Sequence, residues 1–116
     1  DLHSFPTRRS SDLFVTQERV DMCGSYIASI ESHMSDLRTR LDMLNHWITH
    51  VGSGYAKARL QLLRDEALHA LATAEQHLIC ARKELARAQR VLELLEDELD
   101  KRVSDLTIPQ PTTHEQ

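Results

Sequence analysis

The sequence predicts an all-α protein, a long antiparallel two-helix coiled-coil hairpin, on three observations. Apolar residues recur at alternating steps of three and four over most of the chain. A single Gly-rich turn signal, "VGSGY", divides that pattern. The composition agrees: 41% of residues are hydrophobic but only 4% aromatic, and Ala, Leu, Glu, Arg and Gln are abundant. A hairpin needs one apolar seam rather than a full globular core, which suits a chain of 116 residues with so few large aromatic side chains.

The first helix is expected over about 16–51. Val20, Ile27, Met34, Leu41 and Ile48 take the a position of a heptad repeat, and Cys23, Ile30, Leu37, Leu44 and Val51 take d. An unbroken a/d series is the signature of a helix packed along a coiled-coil seam. Gly24 falls at e, where it weakens the helix by about 1 kcal/mol against Ala without interrupting the seam. Residues 52–54 form the turn, with Gly52 suited to the left-handed residue that ends a helix and Ser53 to capping the next one.

The second helix is expected over about 55–106. Leu71, Leu78, Leu85, Leu92, Leu99 and Leu106 repeat at heptad spacing at a, and Ala67, Ala74, Ala81, Ala88 and Leu95 at d. This Leu/Ala alternation resembles the Alacoil, a close-packed antiparallel pair in which alanine lets the helix axes approach; only the second helix carries the alanine row. Folding the chain at Gly54 sets a of one helix against d of the other. Ile48 then meets Leu60, Leu41 meets Ala67, Met34 meets Ala74, Ile27 meets Ala81 and Val20 meets Ala88. Leu37 meets Leu71, Ile30 meets Leu78 and Cys23 meets Leu85. Large-on-small layers alternate with large-on-large ones, which fills space without voids.

The two lengths differ, roughly 54 Å against roughly 80 Å at about 1.5 Å per residue. The excess is "VLELLEDELDKRVSDL" at 91–106, whose Leu92, Leu95, Leu99 and Leu106 continue the seam with no expected cover from the first helix. These leucines, with Trp47 near the turn, are the candidate interaction residues. Pro109 and Pro111 stop the helix, and 107–116 is expected to be a disordered tail.

The chain opens on "DLHSFPTRRSSDL", Asp1–Leu13, which has no apolar periodicity. Back-translated with one choice of codons, all of it resembles a short-read sequencing-library adapter. That resemblance implies a non-native segment over 1–13, a hairpin over 14–106, a native N-terminus replaced by the adapter and an assembled environmental, metagenomic source. Segments of this kind are set aside in fold reasoning.

The net charge is −4. The balance argues against a globally basic, nucleic-acid-seeking surface. No apolar run is long enough to span a membrane. Cys23 and Cys80 lack CxxC or zinc spacing and are too few for a secreted disulfide framework, so reduced thiols and an intracellular setting are expected.

Chemistry is sparse. His46 and His50 stand four apart, a metal-ligand spacing, but no carboxylate or cysteine completes a set. His33 and His77 both fall at g and face each other in the proposed register, with Glu31 and Glu75 opposed at e on the other flank. A pH-sensitive or zinc-bridging pair is the sharper reading there, and two solvated histidines the plainer one. Cys80 and Ile79 form a small outward apolar spot. Arg38, Arg40, Lys57, Arg59 and Arg64, and again Arg82, Lys83, Arg87 and Arg90, are interleaved with acids and read as solvated helix faces. No nucleophile with a base, phosphate loop or catalytic carboxylate pair is recognisable, so no enzyme and no cofactor are expected. The function expected is a non-enzymatic coiled-coil interaction or oligomerisation module, read as one region of a larger protein. Its partner is a second copy or another helix at the 91–106 overhang. The alternative is a small nucleic-acid-binding regulator, because the chain resembles in shape and Leu/Ala layering the plasmid copy-number repressors built as dimers of helical hairpins.

Overall fold

The computed structural model describes residues 4–107, and side chains from residue 11 onward. It is an all-α hairpin of two helices, α1 (Ser4–His50, 47 residues) and α2 (Tyr55–Thr107, 53 residues). The tail expected over 107–116 lies outside the described residues beyond Thr107.

Helix α1 starts well before the expected Thr16. The opening segment lacks apolar periodicity, but it also lacks a breaker that stops a helix. Pro6 sits in the first turn, where the N–H groups have no intrahelical acceptor and a missing donor costs nothing. Once the following heptads form a helix, adding residues to its end avoids the nucleation cost.

The turn differs in detail from expectation. Gly54, not Gly52, has the positive φ, 119°. The Val51 N–H donates to the Trp47 carbonyl at 3.0 Å, closing α1, and the Ala58 N–H donates to the Gly54 carbonyl at 3.1 Å, opening α2. Gly54 is therefore the residue that enters α2 as its N-cap, the place assigned to Ser53. The chain reverses at the last residue before α2, so that residue carries the conformation that a side chain resists. Gly54→Ala is expected to cost about 1–3 kcal/mol from backbone strain alone, because an added Cβ would meet nothing within 4 Å. Gly52→Ala, with no positive φ and equally open space, should be neutral or stabilise by about 0.4–1 kcal/mol through the unfolded chain. Thermal melts of the two variants should move in different directions; equal shifts would place the strain elsewhere.

The chain divides into two units. One is Cys23–Lys83, containing the turn; the other joins Asp1–Met22 to Glu84–Gln116. In the first, Ile30, Met34, Ala74, Leu78 and Ala81 form a buried cluster, with Ile27 and Leu71 packed against it. Leu37, Leu41, Ile48 and Ala67 are buried nearer the turn. These are the a and d residues of the expected register, and the alanines of the d row are among the most buried, Ala67 at 3% exposed. Alanine there contributes little area of its own; it lets Leu41 and Met34 of the facing helix be buried, each worth about 1.5–3 kcal/mol.

An ion pair marks the direction of the helices. Arg82 Nη2 lies 3.0 Å from Glu31 Oε2, joining e of one helix to e of the other. Antiparallel helices bring like flanks together, e to e and g to g, whereas parallel helices pair e with g. Both side chains are more than half exposed, so the pair reports register more than it stabilises.

In the second unit Ala88 is buried, and Leu13, Thr16, Val20, Leu85, Leu92 and Leu95 are half-buried. Arg19 Nη2 lies 3.9 Å from Glu84 Oε2, a g-to-g pair. Leu13 and Thr16 continue the a/d series of α1 and come level with Leu95 and Leu92. The earlier start of α1 thus changes the expected overhang: its inner leucines have seam positions beside them in this chain.

Candidate interaction surface

The seam uses only one side of each helix, and the rest of each helix surface is open to solvent. Around an α-helix heptad position g lies next to d, with c one step further out, so a side chain at g stands on the shoulder of the seam and one at c beyond it. On α1 that shoulder carries Trp47 at g, with Met43 at c beyond it; on α2 it carries Leu63 at g. All three are exposed, Trp47 at 55%. The register sets Trp47 level with Leu63, which lines a groove beside the seam.

That groove has a volume of about 510 Å³ and is lined by Leu37, Arg40, Leu44, Leu63, Glu66, Ala67 and Ala70. Its floor is the seam itself, Leu37, Leu44 and Ala67. Its depth comes from the small residues Ala67 and Ala70, which leave space where a larger side chain would fill it. Its rims carry opposite charges, Arg40 from α1 and Glu66 from α2. Neither has an ion-pair partner among the described residues.

The remaining candidate interaction residues lie near the end of α2. Leu92 and Leu95 are half-buried; Leu99 is 48% and Leu106 75% exposed, and Leu94 is exposed on the outward side. Acids dominate between them, at Glu93, Glu96, Asp97, Glu98, Asp100 and Asp105, with Lys101 and Arg102 among them. The structure therefore separates the four leucines into an inner pair inside the seam and an outer pair in solvent.

The histidines have local roles. His46 and His50 stack with ring centroids 4.2 Å apart and planes tilted by 36°. His50 Nδ1 lies 2.8 Å from the His46 carbonyl oxygen. A carbonyl only accepts, so Nδ1 carries the proton and donates. The Thr49 hydroxyl donates to the same carbonyl at 2.7 Å. The pair thus adds two side-chain donors to a carbonyl in the last turns of α1. His33 and His77 are both exposed. Among the described residues no group of three or more His, Cys, Asp or Glu is placed to hold a metal ion. Cys23 is partly buried, Cys80 is exposed, and both are free thiols.

The basic stretches are partly neutralised within the chain. Arg82 pairs with Glu31, and Arg87 Nη1 lies 2.9 Å from Glu84 Oε1. One basic residue is placed where the sequence reading did not put it. Arg64 falls at an a position of α2, in the row that later carries leucine, and comes level with Leu44. Its Nε is buried with no hydrogen-bond partner and stands 3.6 Å from Asp65 Oδ1. The stem of Arg64 lies along the seam while its side chain stays one-third exposed, as long basic side chains do when they reach out of apolar surroundings.

Among the described residues no helix is long and apolar enough to cross a membrane. The chain matches no protein-family model, no curated protein and no solved structure.

Proposed function

We propose that this chain is a non-enzymatic coiled-coil interaction module, a helical hairpin that associates with a second copy or with another helix. Its contact residues are Trp47 near the turn and the α2 segment 91–106, with Leu99 and Leu106 outermost and Leu92 and Leu95 behind them. One observation supports this reading above the others: among the described residues, more large apolar side chains are exposed than buried. A two-helix hairpin fills one seam and has no second layer to cover the shoulders of its helices. Scattered exposed leucines are ordinary. Here six of the exposed apolar side chains, Tyr26, Trp47, Leu63, Leu68, Val91 and Val103, stand at the e and g positions that flank the seam, where a further helix packs without disturbing the first two. The adapter-derived origin of 1–13 belongs to the same proposal, with the hairpin as a region of a longer protein.

Association stabilises the folded state by mass action, so the melting temperature should rise with protein concentration. It should climb steadily over about a hundredfold range, and Leu99→Asp with Leu106→Asp should make the rise shallower while the helical signal at low temperature persists. A melting temperature independent of concentration, together with salt-sensitive retention on RNA, would overturn this reading in favour of a nucleic-acid-binding regulator.

A further inference from the structure

We infer that the groove beside the turn is a self-complementary docking face, and that a second copy of this chain occupies it to make a four-helix assembly closed around Trp47. The inference rests on the interaction-module reading and names the partner for one of its two surfaces.

Charge identifies the occupant. The rims of the groove carry one cation and one anion, Arg40 on α1 and Glu66 on α2. Neither is engaged in an ion pair among the described residues. A twofold axis parallel to the helices lays α1 of one copy over α2 of the other, running antiparallel to it. Arg40 of each copy then meets Glu66 of the other, twice per assembly. A twofold axis across the helices would instead bring Arg40 towards its own copy. A strongly acidic or strongly basic foreign helix would satisfy one rim and repel the other. A copy of the same face satisfies both.

Shape agrees with charge. Two grooves of about 510 Å³ face each other in this arrangement, each hollowed by Ala67 and Ala70. Leu63 lines the groove, and Trp47 and Met43 stand exposed nearby on α1, available to close over it. Trp47 of one copy falls over Leu63 of the other. Tryptophan is over-represented among residues that dominate binding energy.

The chain contains a single tryptophan, so its fluorescence reports this face and no other. With the full chain, Trp47 emission should move to shorter wavelength as concentration rises and the indole leaves water. Arg40→Glu alone and Glu66→Arg alone each place like charges together twice, and each should weaken association by at least about tenfold. The double variant Arg40→Glu with Glu66→Arg restores both pairs and should return affinity to within about threefold of the original. Both positions are exposed, and circular dichroism of each variant confirms that the hairpin itself is intact. If the double variant associates no better than the singles, the twofold pairing is wrong. If sedimentation finds an assembly while Trp47 emission stays constant, this face is overturned and the module reading survives through α2. A monomer at every concentration overturns both.

Discussion

Leu78→Ala is expected to lower stability by about 2–5 kcal/mol, the largest effect of any single truncation in the hairpin. Leu78 is 7% exposed and belongs to the buried cluster with Ile30, Met34, Ala74 and Ala81. The alanines beside it are too small to close over the space it would leave. A hairpin has a single core, so no second layer shares the loss. Urea unfolding should show a lower midpoint with an unchanged slope. Leu68→Ala, at a position 48% exposed on the same helix, should change stability by no more than about 0.5 kcal/mol. A Leu78 variant as mild as the Leu68 control would mean that the seam is not the core.

Ala74→Leu tests the opposite limit and should cost about 1–3 kcal/mol by overpacking. Ala74 is 4% exposed and shares its cluster with Met34, the side chain expected to lie level with it. Adding Met34→Ala to that variant returns volume to the same layer. The double variant should therefore be more stable than the sum of the two single losses, by an interaction energy of about 0.5–3 kcal/mol. Strict additivity would show that the two residues do not face each other, and the register would fail with them.

The features legible in the sequence are those that repetition enforces. Heptad spacing on both sides of one Gly-rich turn determines the helices, their direction and the buried a and d rows, with Met34 and Ala74 in one cluster. The start of α1 was not legible. A stretch without apolar periodicity, such as Ser4–Ser11, gives no signal of its own, and its helicity depends on the helix that follows it. Nor did the spelling "GSG" decide which glycine turns left-handed. Loop closure determines that, and Gly54 meets the condition because α2 begins immediately after it. Arg64 interrupts the leucine row near the turn, a departure visible on a heptad alignment but easily passed over when the row is read from Leu71 onward.

The candidate surface was half legible. Trp47, Leu99 and Leu106 are as exposed as expected of contact residues, whereas Leu92 and Leu95 are half-buried beside the extended α1. Arg40, Glu66 and Ala70 were invisible as a site, because two were read as members of mixed charged faces and an alanine at g carries no chemistry of its own. Only the register, which sets Trp47 level with Leu63, brings them to one groove.

The central claim is that this hairpin completes its apolar packing by association, and sedimentation equilibrium of the full chain tests it most directly. The account predicts a weight-average mass that rises with concentration from the 13.3 kDa of one chain towards that of two. A mass that stays at one chain at every loading concentration, with the helical signal intact, would contradict it.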